Sequence, residues 1–188
     1  MPSTEILVAM MVWISTITGL PVPETPQVHW SDGKTMKMML YGCDMPAPMN
    51  PELCAVIEGM DIESRDNNTL GLYAHHDHVI YLNPSLKKMH PIVKDSVIVH
   101  ELVHAMQFPA GVEFQCFGQL EELAYEVQDK YLKKNGRQDI FHELDLSPLF
   151  LFITFSCDDG AFEPGNDTYN GYKRKNQLGL EPDSLNPK

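Results

Sequence analysis

His100-Glu101-Leu102-Val103-His104 sets two histidines four positions apart, with a glutamate directly after the first. On a helix, positions i and i+4 share one face about a turn apart. Two imidazoles placed so can bind a single metal ion. Glu101 sits beside the first ligand and can reach a water on that ion without ligating it. Zinc makes such a water acidic, and a carboxylate can take its proton as it attacks a carbonyl. The pattern therefore predicts hydrolysis, with His100 and His104 as ligands and Glu101 as general base. Two histidines and one carboxylate favour zinc, one ion, over other first-row metals.

A catalytic zinc takes three protein ligands and keeps its fourth position open. The third is expected from Gln119-Leu120-Glu121-Glu122-Leu123-Ala124-Tyr125-Glu126. In HExxH proteases whose third ligand is glutamate, the following helix often reads E-x-x-A, the small alanine letting the helices approach. Glu121 and Ala124 have that spacing, so Glu121 is favoured. Glu122 is the rival, and Glu126 four positions later could then orient a ligand histidine.

Other residues join this face. Tyr125 lies one turn after Glu121, as a donor to a developing oxyanion or as a half-buried helix tyrosine. Gln107, seven residues after His100, either contacts substrate or caps the helix end. His142 is weighed as a transition-state donor, but a surface histidine is the favoured reading. The His75-His76-His78 cluster resembles an accidental metal site in a flexible turn and is not counted as catalytic.

These side chains need elements to hold them. Val97, Ile98, Val99, Leu102, Val103 and Met106 surround the motif with apolar residues, predicting a buried helix over about 97–107. Asp95 or Ser96 would cap it and Pro109 would halt it. A second helix is expected over 119–134, ending at Asn135-Gly136. A third, very apolar, begins at Ser147-Pro148 and runs to about Phe155. Leu70–Tyr73 and Val79–Leu82 are β-prone runs around a short polar stretch, which predicts a β-hairpin. Residues 21–55 carry many prolines and read mainly as irregular connection, with Thr35–Tyr41 a short helix or strand. Ile6–Leu20 imitates a signal peptide, yet Glu5 precedes it and the first basic residue is Lys34. A buried helix, capped by Ser3 or Thr4 and stopped by Gly19 and Pro21, is the favoured reading.

With 188 residues, 43% of them hydrophobic, the chain can build one real core. One domain is expected over residues 1–157, followed by an acidic, poorly packed tail over 158–188. A net charge of -12 argues against nucleic acid or an anionic membrane as partner. A peptide or protein substrate is expected instead. Nothing in the sequence fixes an oligomeric state. Cys43, Cys54, Cys116 and Cys157 are either four reduced thiols or two disulfides, and four cysteines allow three pairings. A soluble protein is expected, with the cytoplasm favoured over export.

The assembled motifs resemble an uncharacterised family of short zincin-like proteins of bacteria and their phages, over about residues 5–157. The resemblance rests on Gly19-Leu20-Pro21, the Gly71-Leu72-Tyr73 and Val79-Ile80-Tyr81-Leu82 hairpin, and Ser96 through His104 with Gln107. It continues through Cys116, Glu121-x-x-Ala124-Tyr125 with Gln128, Phe141, Leu144-Asp145 and Cys157. It implies an α+β, minimal zincin-like metallopeptidase fold of the gluzincin type. Such a fold is mainly helical, with a small antiparallel hairpin sheet beside the active-site helix. It also implies Glu121 as third ligand and a Cys116–Cys157 pair. The Cys43–Cys54 loop and the tail after Cys157 depart from the pattern.

The leading expectation is a zinc-dependent peptidase or amide hydrolase, with the hairpin edge aligning an extended substrate by β-addition. The alternatives are a non-catalytic metal-binding interaction module and a hydrolase of cell-wall peptides.

Overall fold

From Ser96 to Gln107 every residue is buried, so the motif lies on the most enclosed of the described helices. The structure, a computed structural model, describes residues 1–41, 43, 51–59 and 69–157. In chain order it runs α1 Thr4–Thr18, β1 Gln27–Trp30, α2 Gly33–Leu40, α3 Pro51–Gly59, β2 Gly71–Ala74 and β3 Val79–Leu82. A 3-10 turn over Pro84–Lys88 leads into α4 Pro91–Gln107, α5 Phe117–Lys134, α6 Ile140–Glu143 and α7 Pro148–Phe155. The result is a mainly helical α+β fold. The expected tail over 158–188 lies outside the described residues.

Helix α4 is the hub, in contact with α1, α5, β2 and β3. Ile98, Val99, Leu102, Val103 and Met106 have no exposed surface, and burying each such side chain contributes about 1.5–3 kcal/mol. This helix begins six residues earlier than the sequence suggested. Pro91 occupies its first turn, where a missing N–H costs nothing, and the His90 ring accepts from the Ile92 N–H. The expected caps have other partners: Asp95 pairs with Lys94, and the Ser96 hydroxyl donates to the Val93 carbonyl.

Helix α1 buries Leu7, Met10, Met11 and Ile14 in the α4 core, while Ile6, Val8, Val12 and Ile17 are exposed. It is thus half-buried rather than enclosed, because the buried side chains fall on one face. Gly19 ends it in the left-handed region (φ 75°), where its N–H bonds the Ser15 carbonyl. Only glycine enters that region without strain.

The hairpin forms as expected, with Gly71 opposite Leu82 and Ala74 opposite Val79. The sheet is nevertheless mixed, not antiparallel. Strand β1 adds parallel to β3, Gln27 beside Val79 and Trp30 beside Leu82, giving the order β1-β3-β2. Helix α2 matches the short element expected over Thr35–Tyr41, whereas strand β1 and the start of α3 lie where irregular chain was expected. Proline misled here: Pro26 precedes a strand and Pro51 opens a helix, both places that proline tolerates.

Two disulfides are present. Cys43–Cys54 joins the end of α2 to α3, and Cys116–Cys157 joins the start of α5 to the residues after α7. Beside the second, Gly118 lies against α7 so closely that a Cβ would sit 2.5 Å from the Thr154 carbonyl oxygen. Gly118→Ala should therefore lower the urea midpoint. Overpacking against backbone costs about 1–3 kcal/mol, and alanine's better helix propensity returns about 0.8–1.0 kcal/mol. A midpoint at or above wild type would show that α7 yields freely. No helix among the described residues is long and apolar enough to cross a membrane.

Candidate metal centre

Three side chains from α4 and α5 converge. The Nε2 atoms of His100 and His104 stand 3.2 Å apart. Glu121 faces both, with Oε2 at 3.3 Å from His100 Nε2 and Oε1 at 3.2 Å from His104 Nε2. All three ligand atoms lie within 4.8 Å of one another, the only such group of three among the described residues. Their placement follows from helix geometry. His100 and His104 share a face of α4, and buried Ala124 lets α5 come close enough for Glu121 to reach across.

This donor set fits a cation. Two ring nitrogens and a carboxylate crowded together repel unless positive charge lies among them, as a proton or a metal. Without a metal, the protein answers with a proton. Burial, the largest influence, lowers the His104 pKa, but the charge and hydrogen bond of Glu121 and the charge of Glu101 outweigh it, raising it to about 9. The same contact works in reverse on Glu121: burial raises its pKa, and the two histidines pull it well below the usual carboxylate range. An N,N,O set of this kind suits zinc among first-row ions.

Glu122, the rival third ligand, is exposed on α5, and Glu126 pairs with Lys130 at the surface, 2.6 Å away. Neither enters the centre.

Glu101 stays outside the triad but beside it, buried at 5% exposure. Burial raises its pKa most, and neighbouring Glu121 adds to the rise; the two histidines and the backbone N–H of Tyr73 oppose it. Strand β2 packs directly on this carboxylate. A Cβ on Gly71 would lie 2.5 Å from Glu101 Oε1, so glycine there permits a contact that any other residue would block.

The Tyr125 ring stands edge-on to the His100 ring, centroids 4.5 Å apart. Its hydroxyl pKa is raised, first by burial and then by the charges of Glu121 and Glu101, so the phenol stays a proton donor. Gln107, expected to touch substrate or cap the helix, instead has both ends of its amide engaged within the protein. Its Oε1 lies 3.0 Å from His104 Nδ1, and its Nε2 donates to the Leu120 carbonyl. Both ends of this buried amide are thus taken up by the His104 ring and the α5 backbone.

Gln128 does the same for His100, with Oε1 3.1 Å from its Nδ1. The sequence reading gave Gln128 no role, although it lies seven residues after Glu121 and so on the same helical face. Phe117, stacked near the His104 ring at 6.2 Å, was also missed, and no spacing rule pointed to it. His142 is not brought to the centre; it is exposed on α6 and bonded to Asp139. The hairpin histidines hold the turn. His78 links the Tyr73 hydroxyl to the Glu24 carbonyl, and His75 stacks on Phe108.

Residues 47–158, more than half of the chain, match a family described as a domain of unknown function, DUF6647. The chain belongs to this family. The match takes in α3 through α7 and all three converging ligands, while α1, β1 and α2 precede it. No curated protein and no solved structure matches the chain. Within this DUF6647 chain, then, function has to be argued from the centre itself.

Proposed function

We propose that this protein is a zinc-dependent hydrolase of peptide or amide bonds, with a zincin-like centre of the gluzincin type. One observation carries the reading: two histidine Nε2 atoms and the Glu121 carboxylate converge, with a further buried carboxylate, Glu101, left over beside them. A structural site needs no such extra group. The ion, when held by His100, His104 and Glu121, supplies Lewis acidity toward water and a scissile carbonyl. Glu101, its pKa raised toward the working range, accepts the proton of the attacking water and returns it to the leaving amine. Tyr125, held neutral, donates to the oxyanion. Strand β2 lies at the end of the sheet order and touches Glu101, so an extended substrate could pair along it beside the base.

The low exposure of His100, Glu101 and His104 favours a second reading, a metal-holding module without turnover. Metal analysis of the purified protein followed by a peptide-library digest separates the two. One equivalent of zinc with cleavage supports the hydrolase; zinc without cleavage supports the module; no metal removes both. Two disulfides favour an oxidising compartment over the cytoplasm expected from the sequence.

Zinc uptake should depend on pH in a defined direction. Below about 9 the metal-free His104 carries a proton that the ion must displace, so apparent affinity should rise about tenfold per pH unit from neutrality toward that value. Competition titrations with a chromophoric chelator would show it, and a flat profile would contradict it. Gly71→Ala should leave zinc bound while displacing the Glu101 carboxylate. A misplacement near 1 Å costs about a hundredfold in rate, and unchanged hydrolysis would remove the contact's importance.

A further inference from the structure

We infer that Gln107 and Gln128 are positioning residues that lock both ligand histidines into one tautomer, with the proton on Nδ1 and Nε2 bare toward Glu121. This rests on the metal-centre reading and adds what fixes its chemistry. Two buried hydrogen-bond chains set the direction of each proton. In the first, Gln107 lies 3.1 Å from the Leu120 carbonyl and 3.0 Å from His104 Nδ1. A backbone carbonyl only accepts. The amide must therefore turn its NH2 to Leu120 and its oxygen to the ring, and that oxygen requires a proton on Nδ1.

The second chain has three links. The Ser96 hydroxyl lies 2.7 Å from the Val93 carbonyl oxygen, and two oxygens so close need a proton between them. The hydroxyl has a single proton and gives it there, so toward Gln128 it accepts. Gln128 Nε2 donates to it at 3.2 Å, which turns Gln128 Oε1 to His100 Nδ1. Again the ring nitrogen must carry the proton. Both chains end on a backbone carbonyl of a helix, and neither can be reversed without setting two acceptors face to face.

Each chain also crosses between helices. Gln107 reaches from α4 to the residue just before Glu121, and Gln128 reaches from α5 to His100 and Ser96. The same bonds thus set ring orientation and the approach of the third ligand. The choice of amides over carboxylates matters as well. Glu101 and Glu121 already lie within this buried centre, and neutral acceptors orient the rings without a further negative charge.

The test uses the full chain. In histidine 15N spectra, both rings should show a proton on Nδ1 facing the amide oxygens, with zinc bound on Nε2 and also in the metal-free protein. Zinc competition should show Gln107→Met and Gln128→Met weakened about 10–100-fold. An Nε2–H tautomer on either ring, Nδ1 ligation, or methionine variants binding like wild type would overturn the inference. If a methionine variant fails to fold by circular dichroism, the wild-type spectra decide. If wild type binds no zinc, the metal reading falls, and the metal-free spectra still judge the tautomers.

Discussion

Glu101→Gln should retain one equivalent of zinc and lose peptide hydrolysis by about two to four orders of magnitude, the usual contribution of a positioned general base. The amide matches the carboxylate in shape and still accepts from the Tyr73 N–H, one of the contacts that bears on Glu101. It cannot take a proton from water. Zinc binding should survive because Glu101 is not among the converging ligands. Its negative charge also helps keep a proton on His104, so its removal leaves the metal less proton to displace. Metal content by mass spectrometry and kcat/KM on a cleaved peptide measure both halves. Hydrolysis at the wild-type rate would end the general-base role, and joint loss of zinc and activity would make Glu101 structural.

Glu121→Ala should weaken zinc binding by more than about a hundredfold, since loss of an outer partner alone costs about 10–100-fold. Glu122→Ala, one residue away but exposed, should bind like wild type. The histidines would respond too. With Glu121 gone, the chief influence raising the His104 pKa disappears while burial still lowers it. In the metal-free variant that ring should lose its proton at a lower pH, as histidine NMR titration can follow. Equal binding by both variants would return the choice of ligand to open ground.

Much of the centre was legible from periodicity. His100, His104 and Gln107 follow from one helical repeat, and apolar residues between them gave α4 its burial. The E-x-x-A spacing favoured Glu121 over Glu122 and one further turn reached Tyr125, while two β-prone runs around a polar stretch marked the hairpin and Ser147-Pro148 marked α7. Capping was less legible. Pro91 and His90 start α4, although Asp95 and Ser96 carry the stronger capping preference; Asp95 pairs with its neighbour Lys94, and Ser96 bonds Val93 and Gln128. Strand β1 was hidden as well: four half-exposed residues give little signal alone, and their partner in β3 lies about fifty positions away.

Which side chains share a face of each helix, and hence the chemistry available, is written in the residue order, because helical spacing is a local property. The choice between Glu121 and Glu122 came from packing. Both stand on the same helix, and the rotation of α5 against α4, set by the packing around Ala124, turns one inward and the other to water. Packing likewise placed the Gln107 amide between the His104 ring and the Leu120 carbonyl, which arrives from another helix. Contacts between distant segments depend on how whole elements pack, and no local spacing encodes that.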